Sequence, residues 1–264
     1  MKNKIEKSVI KVVLSLLVLS NVVFAKQVIG ADIITLIDTA GKQRMLSQRI
    51  AKSYLYLGKN VASSKANKEL KRSMEEFFKG HKLLVKSIND PEIKNLLEFV
   101  ALSSDEIKET TEKKYNLDRV QLVLDLSESL LEGSQYIVDS LKKRYAVKES
   151  DIVEKSGSER MLAQRIAKYY IAYQSGVKDD NTVSSMKLAV NQFSKNLKFL
   201  MSNKNNTPII NQKLNEIDRL WKIVHKFYNN IEKGGLPLIV FNTTNQVTKK
   251  MDKITKLYIL MHKK

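Results

Sequence analysis

The chain has 264 residues, a formal net charge of +18 and no cysteine, which excludes disulfides, thiolate metal sites and thiol catalysis. The length allows one large domain or two of ordinary size. The excess of lysine favours small anions or an acidic partner surface, and because the lysines are spread along the chain we expect no nucleic-acid partner.

Residues 1–25 have the pattern of a secretory signal peptide, because a basic stretch from Met1 to Lys11 precedes an apolar run from Val12 to Ala25. The run is shorter than the roughly 20 apolar residues that span a bilayer, and an uncleaved anchor is the alternative. We therefore predict a periplasmic protein that is not an integral membrane protein once the signal peptide is cleaved.

The rest of the chain is predicted to be all-α, with about eight helices. Three prolines and nine glycines occur, and no alternating β-pattern persists. Short connections imply two tandem four-helix bundle modules of up-down-up-down topology, over residues 31–145 and 147–262. The predicted helices are 31–58, 67–88, 91–113 and 117–145 in the first module and 148–174, 182–201, 208–232 and 236–262 in the second.

A block of fourteen residues that begins at Gly41 recurs 116 positions later from Gly157, with ten identities. The rest of the two halves shares only scattered apolar matches, so the block is the first candidate for function. The junction around 146–151 leaves two geometries open. If the chain folds back there, the blocks lie side by side; if one helix runs straight through, they lie tens of ångströms apart, at ~1.5 Å per residue.

At about 100° per residue, Gly41, Arg44 and Gln48 share one face of the first predicted helix, and Gly157, Arg160 and Gln164 share the equivalent face in the second copy. A separate apolar face would fill the module core. The remaining charged residues are predicted to point between the two faces or toward solvent; they include Asp38, Lys42, Arg49 and Lys52, with Arg165 and Lys168 in the second copy.

The arginine face has an electrostatic consequence, because a guanidinium between packed helices is costly unless it is paired. No acidic residue is expected to repeat on that face, so an anion between Arg44 and Arg160 would relieve their repulsion. The two glycines would permit close approach of the backbones, and the two glutamines would lie at the rim. The alternative is that each arginine pairs within its bundle, with Asp105, Glu109 or Asp218.

The segment from Ile37 to Arg49 resembles the signature helix of the PilJ-type domain, named from the type IV pilus methyl-accepting transducer. It is also similar to the P-box of the nitrate and nitrite sensor kinases, in which an Arg-Met helix from each of two subunits holds the anion. The resemblance implies a ligand role for Arg44 and Arg160, and a chain in which two tandem modules imitate that dimer.

Motifs for other chemistry are missing from the sequence. His81, His225 and His262 do not have the spacing of a zinc helix, and adjacent carboxylates such as Glu75 and Glu76 diverge on a helix. We therefore expect neither an enzyme nor a metal or cofactor site.

The leading hypothesis is a periplasmic, non-enzymatic sensor or binding protein. It would bind a small anion, with nitrate or nitrite as the first candidate, and relay to a membrane sensor kinase or chemoreceptor. One alternative is a ligand-free helical scaffold of the cell envelope whose arginine face docks on a partner or on a second copy. Another is attachment to anionic lipid through the basic surface.

Overall fold

The computed structural model describes residues 33–146, 151–228, 231–233 and 235–262. Within these ranges the chain forms α-helices and one short 3₁₀ turn, Ile231–Lys233, and no strand, which confirms the predicted all-α class. The predicted signal peptide lies outside the described residues. The helices are α1 Ile33–Gly58, α2 Ser63–Ser87, α3 Pro91–Glu112, α4 Leu117–Arg144, α5 Asp151–Gln174, α6 Asp180–Met201, α7 Pro208–Tyr228 and α8 Pro237–His262.

Side-chain caps explain where several of these helices begin. The carboxylate of Asp90 accepts a hydrogen bond from the backbone N–H of Ile93 at 3.2 Å. Asn116 caps α4 and Asp179 caps α6 in the same way, at 2.9 and 2.7 Å. Each cap satisfies a backbone donor that has no partner inside the helix, so these boundaries follow from local sequence.

Two predicted boundaries within the described residues differ from the structure by four residues. Helix α2 begins at Ser63 rather than at residue 67, directly after Ala62, whose φ of 52° is left-handed and cannot be helical. Helix α7 ends at Tyr228, and the segment predicted as its last turn contains the separate 3₁₀ turn.

The helices form two rings of four, because α1 to α4 pack in sequence with α1 closing on α4, and α5 to α8 repeat this arrangement. The rings are joined mainly where α1 packs against α5. Gly41 and Arg44 lie beside Gly157 and Arg160, and further along both helices Lys52 and Gln164 donate to the same Asn245 side chain. The two signature helices are therefore parallel and side by side, which is the first of the two geometries considered.

Aromatic side chains fill the bundle cores and the contact between them. Trp221 is buried against Phe193, with ring centroids 4.2 Å apart, and donates to Ser194 Oγ at 3.0 Å. Between the bundles, the fully buried Tyr56 packs edge-on against Phe241 at 4.9 Å and donates to the carbonyl of Pro237 at 2.9 Å. Among the described helices, none is long and apolar enough to cross a membrane.

Candidate anion-binding site

The seam between α1 and α5 encloses a small cavity lined by the repeated block. Its walls include Gly41 and Arg44 from α1 and their counterparts Gly157 and Arg160 from α5. The cavity has a volume of about 20 Å³, which is about the room for one water molecule. Parallel packing of the two helices thus brings four of the six predicted site residues to one place.

The glycines leave room for guanidinium groups. A methyl group at Gly41 would lie 3.2 Å from Arg44 Nη2, and one at Gly157 would lie 3.5 Å from Arg160 Nη2. Among the described residues, no backbone atom of the opposing helix lies within 4 Å of either position. The glycines therefore let each arginine fold back over its own helix, one turn away, and do not serve the close backbone approach that the sequence suggested.

Arg160 is buried and holds two carboxylates from different helices. Its Nη2 donates to Asp38 Oδ1 on α1 at 2.9 Å, and its Nη1 donates to Asp252 Oδ1 on α8 at 3.0 Å. Burial lowers the pKa of Arg160, but the two carboxylates more than offset that effect, so its pKa is raised. The guanidinium therefore stays charged and binds one carboxylate on each of two sides.

Arg44 occupies the equivalent place on α1. Its Nη1 donates to Gln135 Oε1 on α4. Burial raises the pKa of Glu154 on α5, but the hydrogen bond and charge of Lys142, with a smaller effect from the charge of Arg44, more than offset this, so that pKa is lowered. Lys142 Nζ donates to Glu154 Oε2 at 2.6 Å. Glu154 is the repeat counterpart of Asp38, so each arginine of the seam faces a carboxylate from the opposite helix.

These carboxylates correct two expectations. An acidic residue does repeat at the seam, at Asp38 and Glu154, and the partners of Arg160 are Asp38 and Asp252 instead of Asp105, Glu109 or Asp218. The helical wheel missed the acidic pair because it considered each helix alone, whereas a carboxylate six residues before an arginine reaches the arginine of the neighbouring parallel helix. The signal in the sequence was an acidic residue at position 38 and again 116 positions later.

Gln48 and Gln164 lie deeper and do not line this cavity. Both side chains are fully buried. Gln48 Nε2 donates to the carbonyl of Ser127 at 3.0 Å, and Gln164 Nε2 donates to Thr248 Oγ1 at 2.7 Å. Each glutamine ties its signature helix to the last helix of the same bundle, beneath the arginines.

Lys52 and Lys168 are fully buried, and the prediction that they face solvent was wrong. Lys52 pairs with Glu69, and its Nζ also donates to Asn245 Oδ1 at 2.7 Å. Lys168 pairs with Glu128 across the bundle contact. The identity of this lysine in both copies was the available signal, since surface positions elsewhere in the repeat have diverged.

A family model described as the type IV pili methyl-accepting chemotaxis transducer N-terminal domain, PilJ, matches residues 35–113 and 144–247. Each matched segment contains one copy of the repeated block, in agreement with two tandem copies. No curated protein and no solved structure shows significant similarity. The chain therefore belongs to the PilJ family, whose domains are of the sensor type found in chemotaxis transducers.

Proposed function

We propose that this protein is a periplasmic, non-enzymatic sensor that binds a small planar anion at the α1–α5 seam, with nitrate or nitrite as the first candidate. The anion would exchange with the carboxylates that face Arg44 and Arg160. The observation that carries the proposal is the Asp38 carboxylate on the Arg160 guanidinium at 2.9 Å. A carboxylate and nitrate are both planar oxyanions, which supports the proposal that a guanidinium binding one could bind the other.

Charge balance makes exchange necessary. The cavity walls carry Arg44 and Arg160 against Asp38 and Glu154, so a further anion would leave them with a net negative charge. The volume of about 20 Å³ also holds only about one water molecule. Asp38 is about a third exposed, at 34% of its side chain, so it can leave the seam for solvent.

Exchange would have a structural consequence. Release of Asp38 breaks an ion pair that joins the two bundles, and the relative stability of two packings of α1 against α5 would then depend on the anion. A membrane sensor kinase or chemoreceptor that contacts either bundle would read this change. The scaffold alternative has less support, because Arg44 and Arg160 are only 7% and 2% exposed and cannot dock on a partner.

Binding of nitrate and nitrite, with chloride at the same ionic strength as the reference, tests the proposal by calorimetry on the purified protein. Asp38→Asn removes the internal competitor and should strengthen nitrate binding, whereas Arg44→Gln and Arg160→Gln should abolish it. Arg219→Gln, at an exposed position on α7, controls for the loss of one positive charge. If neither the native protein nor Asp38→Asn distinguishes nitrate or nitrite from chloride, the carboxylates are permanent structural partners and the proposal is wrong.

A further inference from the structure

A second and larger concave site lies beside the seam, between the two bundles. It is a cleft of about 580 Å³ whose walls come from α1, α2, α5 and α8. This volume falls within the range of about 300 to 1,000 Å³ that is typical of small-molecule sites. Eight of its lining residues are lysine or arginine and three are aspartate or glutamate, so the walls carry a formal excess of five positive charges.

Each of the three carboxylates is already paired, so none of them is bound to the remaining cations of the cleft. Glu76 binds Lys42 at 2.9 Å and Arg72 at 2.7 Å. Asp252 binds Arg160 and Lys256, and Glu69 binds Lys52 from below the cleft. Four lining cations form no ion pair with any described residue: Arg49 on α1, Lys68 on α2, and Lys249 and Lys253 on α8.

Arg49 differs from the three lysines because it is largely buried. Its Nε is inaccessible to solvent and donates to no described atom. Burial lowers its pKa, opposed by the more distant charges of Glu69 and Glu76. A guanidinium withdrawn from water without a bound carboxylate is unfavourable, and Arg49 bears that cost at the wall of a basic cleft.

The repeat provides an internal comparison. Arg165 is the counterpart of Arg49 in the second copy, and its Nη2 donates to Glu128 Oε2 at 2.7 Å. The Nε of each of these arginines is buried without a described partner, but only Arg165 binds a carboxylate, whereas Arg49 lines the cleft. The two bundles are equivalent in the block but differ in what their second arginine binds.

We propose that this cleft binds a small molecule with two or more anionic groups, such as carboxylates or phosphates, and that Arg49 is its central contact. A ligand with a single anionic group, bound to Arg49, would leave the unpaired lysines of α2 and α8 without a partner. Because these lysines lie on different walls of the cleft, a ligand with two or more anionic groups fits better. Asn245, Thr248 and Ser73 supply neutral hydrogen-bonding groups in the same lining. The site is separate from the seam cavity, although Arg160 lines both, and it does not depend on nitrate sensing.

Citrate and inorganic pyrophosphate are suitable probes, measured by calorimetry with the purified protein at constant ionic strength. We expect at least one to bind with one-to-one stoichiometry. Arg49→Gln should weaken that binding by about tenfold or more, as expected for loss of a charge-assisted hydrogen bond. The matched control Arg165→Gln should change it by less than about twofold, since Arg165 is bound to Glu128 outside the cleft.

Stability distinguishes a ligand contact from a structural residue. Without ligand, Arg49→Gln should be as stable as the native protein or more so, because it removes an unpaired buried charge. Should that variant fail to fold, Lys249→Ala, at an exposed position of the cleft wall, takes its place and should also weaken binding. The proposal is overturned if neither probe binds, or if Arg165→Gln weakens binding as much as Arg49→Gln.

One more variant separates this proposal from nitrate sensing. Arg44 lines the seam cavity but not the cleft, so Arg44→Gln should leave citrate and pyrophosphate binding intact. Loss of their binding in Arg44→Gln would contradict a separate site. Failure of nitrate to bind would leave the result for the cleft unaffected.

Discussion

Asp38 and Arg160, 122 positions apart in sequence, form an ion pair of 2.9 Å between the two signature helices. Glu154 and Arg44 are their repeat counterparts and face each other across the same seam. The internal repeat therefore places a carboxylate of each copy near the arginine of the other, and Asp38 with Arg160 forms an ion pair there.

This relationship predicts an energetic coupling between Asp38 and Arg160. In a double-mutant cycle with Asp38→Asn and Arg160→Gln, we expect a coupling free energy of about 1 kcal/mol, because the pair is only partly shielded from water. Urea denaturation of the four proteins measures it. The same cycle with Asp38→Asn and Arg165→Gln serves as the control and should give additive effects; coupling there as large as in the first cycle would contradict a specific pair.

The two glycines of the block should respond differently to alanine. Gly157→Ala places a methyl group 3.5 Å from Arg160 Nη2, an ordinary contact, whereas Gly41→Ala places one 3.2 Å from Arg44 Nη2. Alanine inside a helix is favoured over glycine by about 1 kcal/mol, so Gly157→Ala should stabilise the protein by up to that amount. Gly41→Ala must shift the arginine and should gain less or lose stability. The denaturation midpoints of the two variants test this prediction. An equal gain in stability at both positions would contradict it, because it would show that Arg44 moves aside without cost.

The buried carboxyl group of Glu159 should make the protein less stable as pH rises. Its side chain is fully buried on α5 and its two carboxyl oxygens lack hydrogen-bond partners. Burial raises its pKa well above the usual 4.5, with a weaker opposing effect from Asn196. A raised carboxyl pKa means that the folded state binds the proton more tightly than the unfolded state, so this contribution to stability is present at low pH and is lost as pH rises above 4.5.

Glu159→Gln should remove that loss. Its repeat counterpart is Gln43, which shows that the fold accepts an amide there. The variant should be more stable than the native protein at pH 7, by about 1 kcal/mol or more, and the difference should shrink toward pH 4. Thermal unfolding across this range provides the measurement. If the stability difference is the same at all pH values, the pKa of Glu159 does not differ between the folded and unfolded states, and the prediction is wrong.

The buried pair of Lys52 and Glu69 should be intolerant of a single change. Burial lowers the pKa of Lys52 from 10.5 to about 8, opposed by Glu69. Glu69→Gln leaves the ammonium buried without its carboxylate and should cost about 3 kcal/mol at pH 7. The cost should fall at higher pH, because the folded state then holds a neutral amine. A lysine whose pKa is lowered in the folded state makes the protein more stable as pH rises, up to the pKa of that lysine in the unfolded state.

The double variant Lys52→Met, Glu69→Gln provides the control for this prediction. It should recover much of the lost stability, since no unpaired charge remains. Urea denaturation at pH 7 and pH 9 measures both proteins. If the single variant is as stable as the native protein, the lysine does not depend on Glu69.

Sequence reasoning determined the local features of this protein. Helix starts such as Pro91 follow from a cap and the proline ring. The resemblance of the segment from Ile37 to Arg49 led to the family that residues 35–113 and 144–247 match. The repeat of 116 residues similarly indicated two copies of one bundle. These features depend on neighbours in sequence, so composition, periodicity and capping contain them.

Only the tertiary structure decided what the charged residues of the block contact. Helix α1 packs against α2, α4 and α5, and Thr35 is its only exposed residue. A helical wheel assigns one face to a core and leaves the flanks to solvent, so it placed Lys52 in water and Asp38 without a partner. The partner of Arg160 on α1 lies more than a hundred residues away in sequence, and so do the residues of α8 that form the cleft beside Arg49. The sequence alone therefore could not give the ion pairs of Arg160 or the position of Arg49 at the cleft.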